Sequence, residues 1–489
     1  MKYQVLLPFL FLVMLNPLQA QEKDLTTDLY DTYDAYKEPT LDKRRVKHHE
    51  IQPLINKLTH DPSFTVTKVG ESIEGRDLKL ISIGTGKTHV LLWSQMHGNE
   101  PTATQSIFDI FNFLSSDEFG NEKQKVLNNL TLHFLPMLNP DGAERYQRRN
   151  ALGVDINRDA LRLQSPESKT LKRVRDSLNA DFGFNLHDQS TYYNAELTEK
   201  PATISYLATA FNYERDINEV RKKSMQIIVF MNNIIQKYAP GQVGRYSDEF
   251  EPRAFGDNIQ KWGTSLILIE SGGFANDVEK QEIRKLNYVS ILAAIYSIAM
   301  ENYKDIPISE YEKIPENDRK LFDLKIKNAT YRLRGKGYKL DLGINRLEVD
   351  KEGNNSFWYS SRIIDQGDLS TYYGYSDLDA AGMTIVPGKV YPKTFQNIEQ
   401  LKGLDALDLL KQGYTYLKVD TISNDMLEST LPLNLLAGVY VLPEMNLAVG
   451  QNPTFVLVED GKPRYAVING FLIDLQSGKS DFKNAMIYR

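Results

Sequence analysis

Histidine and carboxylate side chains at metal-ligand spacing are the first residues in this chain able to do chemistry. Met96-His97-Gly98-Asn99-Glu100-Pro101 follows the apolar run His89–Met96 and precedes a helical pattern. Pro101 suits a first helical position, where a missing N–H costs nothing. His97 and Glu100 thus stand on the turn leaving the carboxyl end of a buried strand, where open α/β sheets place their crevice. Imidazole and carboxylate side chains so close can converge on one ion, and the pair suits zinc. A catalytic zinc takes a third protein ligand and keeps one position open. Taken alone, His-x-x-Glu is equally the content of an ordinary loop. All seven histidines lie before residue 188 and the chain has no cysteine, so any zinc chemistry belongs to the first part of the chain.

Other runs carry reactive side chains in a fixed order. Asn139-Pro140-Asp141-Gly142 reads as a turn after the apolar run Thr131–Leu138, and the basic residues Arg145, Arg148 and Arg149 follow it. Next comes Gly153-Val154-Asp155-Ile156-Asn157-Arg158-Asp159. Phe184-Asn185-Leu186-His187-Asp188 ends a short strand on a histidine. Leu266-Ile267-Leu268-Ile269-Glu270-Ser271-Gly272-Gly273 carries Glu270 out of an apolar strand into a glycine turn, well placed to face a crevice.

The elements that must position these residues show in the hydrophobic pattern. Leu78–Gly84, His89–Met96, Thr131–Asn139, Gly183–His187 and Ser265–Glu270 have the texture of buried strands. Thr102–Ser115, Lys223–Lys237 and Gln281–Tyr303 have that of helices. Their alternation predicts an α/β layer architecture with a mostly parallel sheet over residues 21–304. Residues 305–318, rich in Pro, Glu and Lys, read as a linker. Beyond it, short alternating stretches predict a β-rich accessory domain over residues 319–489. They are Tyr331–Arg334, Asn345–Val349, Tyr416–Thr421, Gly438–Leu442, Thr454–Val458 and Tyr465–Leu472, with a helix at Asn397–Lys411.

Composition narrows the function. With 489 residues, 25% charged and 41% hydrophobic, the chain has material for two or three domains with ordinary cores. The absence of cysteine excludes thiol nucleophiles, disulfide scaffolds and thiolate zinc fingers. A net charge of −6 speaks against nucleic acid as a partner. Residues 1–20 read as a signal peptide: Lys2, the apolar run Val5–Leu15 and Ala20 before Gln21. The run is too short to span a bilayer, so no integral membrane segment is expected after cleavage. Export to a bacterial periplasm or the extracellular space follows from the leader and the lack of cysteine.

In this order the motifs between Val46 and Ala299, opened by Ser72-Ile73-Glu74-Gly75-Arg76, resemble the zinc carboxypeptidases of the carboxypeptidase A type. The resemblance implies a three-layer α/β/α sandwich around a mixed, mainly parallel sheet. It implies one zinc ion per chain held by His97, Glu100 and His187, and a peptide substrate with a free C-terminal carboxylate. Glu270 matches the general base that activates a water at the zinc, and Arg148 matches the arginine that stabilises the oxyanion, with Arg149 as its neighbouring alternative. Asn157 and Arg158 match the pair that grips the terminal carboxylate, and Tyr246 is the nearest candidate for the tyrosine that folds over the substrate. Two other readings stand beside this one: hydrolysis of a peptidoglycan stem peptide or other amide on the same scaffold, and a non-catalytic peptide-binding protein. The partner of the C-terminal domain is unknown at this level.

Overall fold

A computed structural model describes residues 25–442 and 447–489, so the expected signal peptide lies outside the described residues. The first part of the chain forms strands β1 (Thr65–Glu71), β2 (Asp77–Gly84), β3 (Thr88–Ser94), β4 (Leu130–Leu135), β5 (Phe182–Asp188), β6 (Asn194–Ala195), β7 (Ile204–Leu207), β8 (Val243–Arg245) and β9 (Ser265–Ser271). Its helices are α1 (Leu25–Asp31), α2 (His48–Leu58), α3 (Thr102–Ser115), α4 (Gly120–Asn129), α5 (Pro140–Glu144), α6 (Pro166–Leu178), α7 (Glu219–Ile235), α8 (Phe255–Lys261) and α9 (Gln281–Met300). All strands but β6 join one sheet in the order β1-β2-β4-β3-β5-β9-β7-β8. β4, β3, β5 and β9 run parallel at its centre, whereas β2, β7 and β8 run against them.

The alternation of side chains along the central strands explains why both faces need helices. In β3, Val90 and Leu92 enter a large core shared with α2, α3, α7 and α9. Leu91 and Trp93 point the other way, into a smaller core closed by α6 and α8. A strand buried on both faces reads as a continuous apolar run, which is what residues 90–93 show. Helix α6 starts on Pro166 behind Ser165, whose hydroxyl accepts the Ser168 N–H, and stops at Asn179 in a left-handed conformation.

Several elements stop earlier than the pattern predicts, and backbone conformation gives the reason. β3 ends before Gln95 (φ 51°) and β4 ends before Met137 (φ 58°). Helix α9 ends before Glu301 (φ 58°). Each residue breaks its element with a positive φ that neither helix nor strand accommodates.

Residues 305–318 hold a 3-10 turn, Ile308–Lys313, whose Tyr311 is buried, followed by Ile314 in the large core. The short strand β10 (Asn317–Asp318) then pairs with β6. The remainder forms β11 (Leu321–Leu333), β12 (Lys336–Asp350), β13 (Phe357–Gly367), β14 (Tyr373–Asp379), β15 (Thr384–Pro387), β16 (Lys389–Asn397), β17 (Tyr414–Thr421), β18 (Glu428–Ser429), β19 (Asn434–Ala437), β20 (Phe455–Glu459), β21 (Lys462–Ile468), β22 (Phe471–Asp474) and β23 (Ala485–Tyr488). One sheet runs β13-β12-β11-β15-β20-β21-β22 with β14 beside β11, and a second runs β16-β17-β19-β23-β18. The C-terminal half is thus β-rich, as its pattern predicts. Two expectations fail locally. The expected strand Gly438–Leu442 is a turn whose Val439 and Val441 face solvent, because Gly438 turns the chain left-handed at φ 56° directly after β19. The expected helix Asn397–Lys411 splits at Gly403 (φ 83°) into a 3-10 turn and α10 (Ala406–Lys411). Among the described residues no helix is long and apolar enough to cross a membrane.

Candidate metal centre and active site

His97 and Glu100 lie on the turn between β3 and α3, and His187 is the penultimate residue of β5. β3 and β5 are neighbouring parallel strands, so their carboxyl ends bring the three side chains together. His97 Nδ1 is 2.9 Å from Glu100 Oε1, His187 Nδ1 is 2.7 Å from Glu100 Oε2, and the two imidazole Nδ1 atoms are 3.1 Å apart. All three residues are buried. Ligand atoms at about 2.0–2.2 Å from a tetrahedral zinc lie about 3.4 Å from one another, so this donor set needs only a slight expansion to hold one. The remaining His187 Nε2 is buried without a hydrogen-bond partner. Two histidines and a glutamate, with ligand atoms all within 4.8 Å, fit a zinc site.

The turn takes this shape because the motifs pack on one another. A side chain at Gly98 would collide with the backbone of Gly142 and Ala143. Asn139 Nδ2 donates to the Met96 carbonyl at 3.3 Å and to the Arg148 carbonyl at 3.2 Å. Buried Asp141 accepts from Ser72 Oγ at 2.7 Å, from the Glu74 N–H at 3.0 Å and from Arg76 Nη1 at 2.7 Å. The segment 72–76 therefore braces the turn 139–142, which in turn braces the turn 97–100.

A residue without an assigned role in the sequence orders the cluster. Asp155 Oδ1 lies 3.0 Å from His97 Nε2, and a carboxylate only accepts, so Nε2 donates and the Nδ1 lone pair faces Glu100 and His187. Asp155 Oδ2 takes Arg148 Nε and Nη2, each at 3.1 Å. Arg148 Nη1 then reaches His97 Nδ1 at 3.1 Å and Glu100 Oε1 at 3.2 Å. Arg149 instead points to the Gly153 carbonyl, away from the cluster. Burial works against the Asp155 carboxylate, but its bond to His97 and the neighbouring charges hold it far below the usual range. Glu100 is held low in the same way by the two imidazoles, against the effect of burial. Burial alone would lower His97, yet Glu100 and Asp155 outweigh it and raise its basicity, while burial dominates at His187 and lowers it.

Glu270 stands on β9 directly beside His187 on β5. Burial first, then the charges of Glu100 and Asp188, push its carboxyl well above the usual range. Asp188 and Lys280 were not legible as site residues. They form a buried pair at 3.0 Å beneath this edge, and Lys280 Nζ also donates to the Ser271 carbonyl beside Glu270. Asp188 Oδ2 accepts from Thr102 Oγ1 at 2.6 Å, and the Asp188 N–H donates to Glu100 Oε2 at 3.2 Å. Asp155 and Asp188 carried a signal, each lying within a motif that holds a candidate. Lys280 carried none, because its contact depends on how α9 begins.

Asn157 and Arg158 sit on a 3-10 turn packed on α8. Asn157 Oδ1 accepts the Phe255 N–H at 3.0 Å, which leaves its Nδ2 to donate elsewhere. Arg158 is exposed, anchored through Nη1 to the Asn157 carbonyl and 3.7 Å from Glu251. Tyr246 follows β8, with its ring edge-on to Tyr193 at 5.7 Å and its phenol raised by burial and by the charge of Glu270. Neither Asn157, Arg158 nor Tyr246 touches the His97–Glu100–His187 cluster directly.

Residues 51–177 match the family model described as zinc carboxypeptidase, a span that contains His97, Glu100, Arg148, Asn157 and Arg158. Over that span the chain is similar to the zinc carboxypeptidases. Carboxypeptidase E of Caenorhabditis elegans is 34% identical over 122 residues, covering 21% of this chain and 26% of that protein. The human carboxypeptidase N catalytic chain is 29% identical over 140 residues, covering 23% of this chain and 30% of its own. The chain thus matches under a third of the length of these relatives. Among solved structures, the metallo-carboxypeptidase from Burkholderia cenocepacia has 18% identity and a TM-score of 0.44, covering 53% of this chain and 70% of its own. A mixed α/β half and a β-rich half are both present, as the sequence predicts.

Proposed function

We propose that the protein is an exported zinc-dependent carboxypeptidase that hydrolyses the C-terminal peptide bond of peptides. The observation that carries this reading is the meeting of His97, Glu100 and His187 with Arg148 and Glu270 on one sheet edge. His97 and His187 through Nδ1, and Glu100 through its carboxylate, would hold the zinc. When bound, it supplies Lewis-acid polarisation of the scissile carbonyl and lowers the pKa of a water. Glu270, a half-buried carboxyl with raised basicity, takes the proton from the attacking water and passes it to the leaving amine. Arg148 presents its guanidinium to the oxygen on which negative charge develops, with its direction fixed by Asp155. Arg158 forks onto the substrate's terminal carboxylate, and Asn157 adds a neutral donor from Nδ2.

A free-acid peptide and its C-terminal amide, compared by kcat/KM, test the reading. A charge-assisted hydrogen bond contributes about 1.5–3 kcal/mol, roughly one to two orders of magnitude, so wild type should prefer the acid by that factor. Arg158→Ala should shrink the preference. Product masses from a peptide and muropeptide mixture should show loss of single C-terminal residues. Equal cleavage of acid and amide removes the carboxylate clamp, and cleavage of muropeptides alone moves the activity to cell-wall amide hydrolysis.

A further inference from the structure

The β-rich half touches three loops that leave the carboxyl ends of the catalytic strands. In the loop after β5, the Tyr192 carbonyl accepts the Leu321 N–H at 3.2 Å, Tyr192 Oη donates to Asp323 Oδ2 at 2.8 Å, and Tyr375 Oη donates to the Thr191 carbonyl at 2.6 Å. In the loop after β9, a side chain at Gly273 would strike the Tyr375 hydroxyl, so the Tyr375 side chain packs against the backbone there. The third contact is the tip of the β12–β13 hairpin. Lys47 Nζ donates to the Gly353 carbonyl, and Asn354 Nδ2 donates to the Arg145 carbonyl at 2.8 Å. The Arg45 guanidinium lies 4.2 Å from the Tyr146 ring centre and 4.9 Å from that of Phe357, and it pairs with Asp350 at 2.8 Å and Glu348 at 3.5 Å. Arg44 pairs with Glu348 as well. Tyr146 precedes Arg148 by two residues, and Arg148 reaches the metal ligands. The Tyr146 phenol, pushed up to about 12 mainly by burial, feels Asp188 beside His187 and Glu348 of the hairpin at once.

The hairpin contacts lie on the opposite side of the sheet edge from Arg158. Asn157 binds the start of α8, on the face closed by α6 and α8. The Arg44–Arg45 segment runs instead along the starts of α3 and α9: the Arg44 N–H donates to Glu279 at 2.9 Å, and Gln105 Nε2 donates to the Lys43 carbonyl at 2.6 Å. A peptide held at Arg158 by its C-terminal carboxylate therefore crosses the cluster toward the β-rich half. The geometry points to that half as the wall that ends the cleft on the N-terminal side of the scissile bond, confining the enzyme to short peptides. The inference rests on the carboxypeptidase reading.

Zinc-loaded full-length protein should be assayed with N-terminally blocked peptides, from dipeptide to octapeptide, that share their last two residues. kcat/KM should peak among the short members and fall at least about tenfold by the octapeptide. Glu348→Gln removes the ion pairs with Arg44 and Arg45 at nearly constant shape, and Phe357→Ala removes the ring behind Arg45. Each should raise the octapeptide-to-tripeptide ratio, and Glu348→Gln keeps that comparison available if Phe357→Ala fails to fold. Equal kcat/KM at all lengths in wild type overturns the wall and leaves the carboxypeptidase reading intact. An unchanged ratio in folded variants overturns the assignment to the hairpin. No cleavage at any length overturns both readings.

Discussion

Asp155→Asn is the most informative single substitution, because one carboxylate serves three groups. Its Oδ1 takes His97 Nε2 at 3.0 Å and the Asn157 N–H at 3.0 Å, and its Oδ2 takes Arg148 Nε at 3.1 Å. Asparagine keeps an acceptor for one side of this fork and loses both the charge and the second acceptor. If Oδ1 stays on His97, the new Nδ2 faces the guanidinium, donor against donor. A lost partner of a metal-bound histidine costs about 10–100-fold in metal affinity. A hydrogen bond to a charged group is worth about 1.5–3 kcal/mol, so releasing Arg148 should cost about another 10–100-fold in kcat/KM when zinc saturates. Competition with a chromophoric chelator gives the first number, and steady-state kinetics across a zinc titration gives the second. Zinc affinity and saturated kcat/KM both within twofold of wild type would refute the claim that Asp155 orders ligand and oxyanion donor together.

His97→Ala and His187→Ala should each lose zinc, read as metal per chain after dialysis, with the far-ultraviolet spectrum retained; full occupancy in both would remove the ligand assignment. Glu270→Gln should bind zinc and peptide normally but turn over about 10²–10⁴-fold more slowly, and an active variant would place the base elsewhere. Asp257 is buried on α8, and burial pushes its carboxyl up to about 7. The unfolded chain ionises this group near pH 4, so between about pH 4 and 7 the folded state holds the extra proton and stability falls as pH rises. Asp257→Asn should flatten that part of the Tm-against-pH curve and gain stability above pH 7; parallel curves for both proteins would deny Asp257 the effect.

Much of the catalytic half is legible because its signals are local. Residues 90–93 and 266–269 are continuous apolar runs that only a sheet covered on both faces can bury. The ends of those runs locate the turns that carry His97 and Glu270. What resists reading depends on conformations or contacts that no short window contains. The positive φ values at Gln95, Met137 and Glu301 shorten three elements without any glycine to announce them. Lys280 reaches Asp188 across 92 residues of sequence, and Arg45 finds Glu348 across 303. Gly438, by contrast, is a local signal: its left-handed backbone ends β19 at Ala437.

Charge balance ties the site together. Glu100, Asp155, Asp188 and Glu270 gather around one sheet edge, and the fixed cations among them are Arg148 and Lys280. With both imidazoles neutral, the carboxylates outnumber these two cations, an excess of negative charge that one divalent ion would offset. Such a surplus at a largely buried edge is costly unless it is neutralised. The raised carboxyl of Glu270 expresses that surplus, since burial and the charges of Glu100 and Asp188 outweigh Arg148 and Lys280. The same surplus favours the proposed hydrolase over a mere peptide binder. A binder of anionic C termini gains nothing from an unpaired glutamate facing its cation-binding cluster, whereas a hydrolase needs a carboxylate there that can accept a proton and release it within one turnover.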